Sequence, residues 1–246
     1  MKKAQVTILI IIAVVLIGIV ITIYTIKTKP FSNPSTFDDP EINQINEQIN
    51  NCIEERAIDA IYLIGIQGGY IYLPDDFIET SVSDVAYGLK NNRNTLPTKE
   101  EIQTEIEEYI DLYIPYCLDQ EYIEETRNIK TDIRESETKV DIKENSVKII
   151  INLPIFLSKG ETTYELNKDY KKEIPIRLGK VIEIANQIIE KQKQERDAIP
   201  LTFLSRFETE TIFEYINEET VIYIIHDEES KIDETSYNFM FGVELS

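Results

Sequence analysis

The sequence predicts an α+β fold: an N-terminal transmembrane helix, then a helix pair, then a mostly antiparallel sheet with an inserted helix. Three observations carry this. Val6 to Ile26 is an uncharged run of 21 residues. Two later stretches, opening at Asp39 and Thr98, place apolar residues every three to four positions. From Glu135 the period changes to two and turn residues recur, as in half-buried strands joined by hairpins. Helices first and strands after is the order of α+β architecture, not of alternating βαβ units.

At about 1.5 Å rise per residue, the apolar run reaches roughly 30 Å, the thickness of a bilayer's hydrocarbon core. Lys2 and Lys3 precede it; Lys27 and Lys29 follow. It is longer than the apolar part of a secretory signal, and no Ala-x-Ala cleavage pattern follows it. It reads as a retained anchor that meets the lipid bilayer through residues 6–26. A short basic tail ahead of a first apolar helix stays inside, and long C-terminal domains translocate largely regardless of charge. The expected topology is a cytoplasmic N-terminus with residues 30–246 outside. The expected divisions are an anchor over 1–29, a Pro-rich tether over 30–40 and an acidic domain over 41–246. That domain divides by pattern into a helical part, 41–134, and a sheet-rich part, 135–246.

Asp39-Pro40-Glu41 reads as a helix start, with Asp39 as N-cap and Pro40 at the first helical position. Ile42, Ile45, Ile49, Cys52, Ile53, Ala57, Ala60 and Ile64 form its apolar stripe. Gly65 to Gly69 supply the backbone freedom that ends it. Tyr70 to Leu73 reads as a short strand, and Asn91 to Asn94 as turn-rich. Thr98-Lys99-Glu100-Glu101 is a capping box, followed by Ile102, Ile106, Tyr109, Ile110, Tyr113 and Cys117; Pro115 ends or kinks that helix. Thr138, Val140 and Ile142 alternate with charges, and Glu144-Asn145 turns. Val147 to Leu157 reads as one long strand, with Pro154 marking an edge or bulge. After Thr162 to Leu166 and Ile174 to Ile176, a third helix is expected from Arg177 to Glu195. A short helix near Pro200 to Phe207 precedes three strands, at Ile212–Ile216, Val221–His226 and Tyr237–Leu245.

The chain carries 25 basic and 45 acidic residues. That balance argues against nucleic-acid partners and against adsorption to anionic lipid, both of which need lysine and arginine patches. It reads first as solubility and mutual repulsion. Isoleucine occurs 44 times and alanine 7 times, a bias of AT-rich genomes. Cys52 and Cys117 each lie on an apolar helix stripe, so an oxidising compartment would join them; two buried thiols are the alternative. No metal site is expected from two cysteines and one histidine, and no cofactor motif is present.

Catalytic signals are weak. His226 stands at a strand end without a motif that selects a nucleophile. Gly65-x-x-Gly68-Gly69 lacks the ending of a phosphate loop and reads as a turn. Asp75-Asp76 is the kind of pair that chance supplies in so acidic a chain. Tyrosines gather around the ends of the first two helices, where they either pack the helix pair or present a contact surface. The candidate partner surface is Tyr62, Tyr70, Tyr72, Tyr116 and Tyr122.

Lys2-Lys3-Ala4-Gln5, followed at once by the apolar run, resembles the class III signal of archaeal flagellins and type IV pilins. The resemblance implies a cut between Ala4 and Gln5 and assembly into a filament. The chain departs from bacterial-type pilins at Leu9, where they carry a glutamate, and at Pro30 and Pro34, which break the helix early. Lys2 to Thr7, Tyr62 to Tyr70 and Ile176 to Lys180 resemble uncharacterised single-pass surface proteins of small-genome archaea; this implies a fold and a location, and no catalytic residues. The expectation is a non-enzymatic protein with an envelope-structural, adhesion or assembly role, bound to an envelope partner or to itself. A pilin-like subunit and an enzyme of unknown class are the alternatives.

Overall fold

The computed structural model describes residues 39–166 and 169–245. The expected span at 6–26, the Ala4–Gln5 junction and most of the tether lie outside the described residues. Among the described residues no helix is long and apolar enough to cross a membrane. Residues 44–246 cluster as one unit; of the unit formed by 1–43, the described part is Asp39–Asn43, where the first helix starts.

Helix α1 spans Pro40–Ile66. The Asp39 carboxylate accepts from the Glu41 N–H at 3.0 Å, and Pro40 sits where a missing N–H is harmless. Ile45, Ile49, Ile53, Ala57, Ala60, Ile61 and Ile64 are buried. The helix ends in a left-handed cap. Gly68 and Gly69 have φ of 78° and 92°, and the Gly69 N–H reaches back to the Ile64 carbonyl at 2.8 Å.

The next stretch departs from expectation. Tyr70 to Leu73 is not a strand, because the Ile71 and Tyr72 N–H groups donate to the Glu105 carboxylate instead of to a neighbouring strand. The strands here are β1 (Phe77–Ile78), β2 (Val85–Lys90) and β3 (Arg93–Asn94). Asn91 and Asn92, at φ of 50° and 58°, make the two-residue turn between β2 and β3.

Helix α2 spans Lys99–Tyr113 with both halves of the Thr98–Glu101 capping box in place. A 3₁₀ turn follows at Ile114–Cys117. Helix α3 (Gln120–Arg127) and strand β4 (Ile129–Ile133) were not expected; each is too short for a periodic signal. Then come β5 (Glu137–Ile142) and β6 (Val147–Asn152). The long strand expected to Leu157 is broken. Strand β7 (Ile155–Lys159) belongs to a different sheet. Pro154 lacks a ladder donor, and its carbonyl accepts from Arg134 at 3.1 Å. The remaining elements are β8 (Thr162–Glu165), β9 (Asp169–Ile174), α4 (Leu178–Gln192), α5 (Leu201–Leu204), β10 (Glu210–Tyr215), β11 (Thr220–Ile232) and β12 (Thr235–Glu244).

The fold is α+β with a mixed sheet. A six-stranded sheet runs β1-β2-β12-β11-β10 with β3 beside β2; two three-stranded sheets run β4-β7-β8 and β5-β6-β9. The expected mostly antiparallel pairing is present, with β2 beside β12 as the parallel exception, Gly242 opposite Tyr87; the expectation of a single sheet is corrected, since the strands divide among three. Ladders also cross the division expected at residue 134, since β2 pairs β12 and β4 pairs β7.

Helix α2 covers the free edge of β5 through its side chains. Gln103 accepts from the Ile142 N–H at 3.1 Å, Glu107 from Val140 at 2.8 Å and Asp111 from Thr138 at 3.3 Å. Asp111 also accepts from the Ser136 and Thr138 hydroxyls, each at 2.7 Å. The match is metric. Four helical residues advance about 6 Å, and two strand residues advance about 6.6 Å. Acceptors at i, i+4 and i+8 therefore meet every second N–H of an edge strand that would otherwise pair with another chain.

Candidate functional site

Strands β11 and β12 have an inner face and an outer face of different character. On the inner face Val221, Tyr223, Ile225, Phe239, Phe241 and Val243 are at most 1% exposed. There the Tyr223 hydroxyl donates to Gln192 of α4 at 2.7 Å. Gln192 in turn donates to the Glu195 and Ala198 carbonyls at 2.6 and 3.2 Å, so one buried amide ends α4 and seats it on the sheet. Burial pushes the Tyr223 and Tyr237 hydroxyls far above their ordinary pKa.

The outer face is only partly covered. Ile78, Val85 and Ile222 form a small cluster against which Tyr87, Ile224 and Met240 pack while half-buried. Ile212 of β10, opposite Ile224 in the ladder, stays 45% exposed. Between this face, the C-terminal part of α1 and the Glu79–Val82 segment lies an open groove of about 750 Å³. Ile58, Ile66, Ile222, Ile224, Ile232 and Met240 give it apolar walls, and Tyr62 flanks it from α1. Val82 stands on its lip, 78% exposed, on a loop that Thr80 braces by donating to the Ser83 carbonyl at 2.7 Å.

Among the described residues the charged ones that line it are all acidic: Asp59, Glu79, Glu214 and Asp233. Arg56 pairs with Asp59 at 3.1 Å. Glu79, Glu214 and Asp233 are exposed and have no ion-pair partner among the described residues. The arrangement is an apolar floor with a negative rim. Sequence reading found Tyr62 but missed the groove, because its walls come from four separated segments.

The other candidate tyrosines stand on separate elements. Tyr70 is tied down by its hydroxyl, which donates to the Thr95 carbonyl at 2.9 Å. Tyr72 and Tyr116 are exposed. Tyr109, Tyr113 and Tyr116 form a ring ladder, with centroids 4.5 and 6.3 Å apart. Tyr72 lies within electrostatic range of Tyr113; burial chiefly, then Tyr113, Glu108 and Glu105, raises its hydroxyl pKa. Tyr122 belongs to α3 and is exposed. Cys52 of α1 and Cys117 of the 3₁₀ turn are joined by a disulfide, their Cα atoms 5.6 Å apart.

His226 shares a 2.7 Å hydrogen bond between its Nδ1 and the Asn238 amide oxygen, its direct cross-strand partner. Beside it, Asp227 is fully buried. Arg177 grips Asp227 with two nitrogens and Glu229 with a third. The Ser230 hydroxyl donates to Asp227 at 2.5 Å, and the Arg177 N–H donates to Ser230 at 2.9 Å. Burial pushes the Asp227 carboxyl up, but the Arg177 and Ser230 hydrogen bonds outweigh it and hold the pKa below the usual range. The ladder register shifts between Asp227 and Lys231, so this cluster locks a bulge. Asp75 and Asp76 are both exposed, and Asp76 bridges to Lys90 at 2.9 Å. Among the described residues no group of three or more metal-ligating side chains converges. Comparison with models of known protein families, with curated proteins and with solved structures finds no match.

Proposed function

We propose that the chain is a single-pass, membrane-anchored protein whose domain works outside the cell by binding, in envelope structure, adhesion or complex assembly. The groove carries this reading. A half-open apolar concavity with a negative rim is a contact surface, and large concave apolar sites are where recognition concentrates. The uncharged run from Val6 to Ile26 supplies the anchor, and the Cys52–Cys117 disulfide fits an oxidising compartment. The acidic balance keeps such a domain dispersed at a crowded surface.

The test is the intact mass of the protein taken from its native membrane, with thiol alkylation before and after reduction. A full-length chain whose thiols alkylate only after reduction supports a permanent anchor with the domain outside. Loss of Met1 to Ala4 replaces this with a filament subunit processed before Gln5. Thiols that alkylate in unfolded, unreduced protein remove the extracytoplasmic placement. Hydrolytic turnover by the purified chain, abolished by one point change, overturns the binding role.

A further inference from the structure

We infer that the groove takes a short cationic segment of a partner protein, one that carries one or two bulky apolar side chains between lysines or arginines. The inference rests on the binding role proposed above and names the chemistry of its partner. The volume of about 750 Å³ lies within the range of specific ligand sites. On the floor Ile224 and Met240 stay half-buried over the buried Ile222, so a bulky apolar group gains by covering them. The rim decides what flanks that group. Glu79, Glu214 and Asp233 stand on three separate segments, line one opening and have no ion-pair partner among the described residues. Low-dielectric walls concentrate their field at the mouth.

The same charges select against other occupants. A neutral apolar ligand would cover the floor but cost the carboxylates water without giving them partners. A second copy brings another net charge of −20, and β10 beside the groove exposes Glu210 and Glu214. An anionic lipid headgroup is repelled by the same rim. A cationic segment with an apolar core is the chemistry that satisfies floor and rim together.

The test uses the full chain in nanodiscs of neutral lipid, with empty discs as blank. The probe is a short fluorescent peptide of lysines around one leucine and one phenylalanine, read by anisotropy. Controls replace the two apolar residues by serine, or every lysine by glutamate. Wild-type protein binds the lysine peptide, more weakly as salt rises. The triple variant Glu79→Gln, Glu214→Gln, Asp233→Asn, all at exposed positions, weakens it about fivefold or more. Met240→Gln weakens it as well. Neutralising the exposed Glu121, Glu125 and Glu144 changes it less than twofold. Absence of binding above the blank overturns the inference, as does equal binding of the serine control or equal loss in the remote triple variant. Preference for the glutamate peptide, or two chains per disc in place of peptide, assigns the groove to another occupant. None of these outcomes alters the mass and topology that test the anchor, so the two readings fail separately.

Discussion

Gly65 shows how a residue's reason can lie outside its own segment. Its place before Gly68 and Gly69 suggests a turn, yet it lies inside α1. A Cβ there would collide with the Asn238 carbonyl and sit 2.9 Å from the Tyr237 ring, and the Tyr237 hydroxyl donates to the Ile61 carbonyl at 3.1 Å. Alanine would gain about 1 kcal/mol of helix propensity, but overpacking against backbone costs more. Gly65→Ala is expected to lose about 1–3 kcal/mol in urea unfolding; a gain would show that α1 has slack against β12. Asp227 gives the pH dependence. Its folded pKa lies below the unfolded value, so its contribution is full above the unfolded pKa of about 3.9 and is lost as pH falls through the folded pKa. Asp227→Asn leaves Arg177 poorly paired and is expected to cost about 3 kcal/mol near neutrality. The gap from wild type should narrow as the pH is lowered through the acid range, in denaturation curves taken across that range.

At the scale of elements, the α2–β5 contact separates charge from hydrogen-bond acceptance. Glu107→Gln keeps an acceptor for the Val140 N–H and should stay within about 0.5 kcal/mol of wild type. Glu107→Ala orphans that donor and should cost about 1–3 kcal/mol, with faster aggregation seen by light scattering as the β5 edge opens. Equal losses in both variants would mean that the side chain acts by its charge. The capping box at Thr98 and the alternation in β5 are legible because they are local patterns. The acceptor row Gln103, Glu107 and Asp111 reads as an ordinary solvated face until β5 is placed beside it. Pro154 is legible as an interruption, but which sheet receives β7 is not.

At the scale of the whole molecule, the disulfide and the charge set stability. The Cys52–Cys117 bridge spans a sequence separation of 65 residues, which corresponds to roughly 4 kcal/mol in the chain-entropy account. The double variant Cys52→Ser, Cys117→Ser is expected to melt lower by calorimetry, and reduced wild type should lose a comparable amount. If reduction leaves the melting temperature unchanged, the bridge is absent from the folded protein. Part of the acidic surplus is structural and not merely solubilising: Asp111, Glu107, Glu105 and Asp227 accept from backbone or from neighbouring side chains. Around the groove, Glu79, Glu214 and Asp233 have no ion-pair partner among the described residues.

The sequence by itself determined the α+β class, the starts of α1 and α2, the inward stripes of those two helices, the presence of α4, and the three strands that close the chain. Those features follow from caps and periodicities within a few residues of each other. Only the tertiary structure decided that β2 lies parallel to β12, that α2 seals β5, that Gly65 is a contact rather than a turn, and that a groove opens beside Tyr62. Each of these depends on residues brought together from distant segments, and a pairing of faces is written in no single stretch of chain.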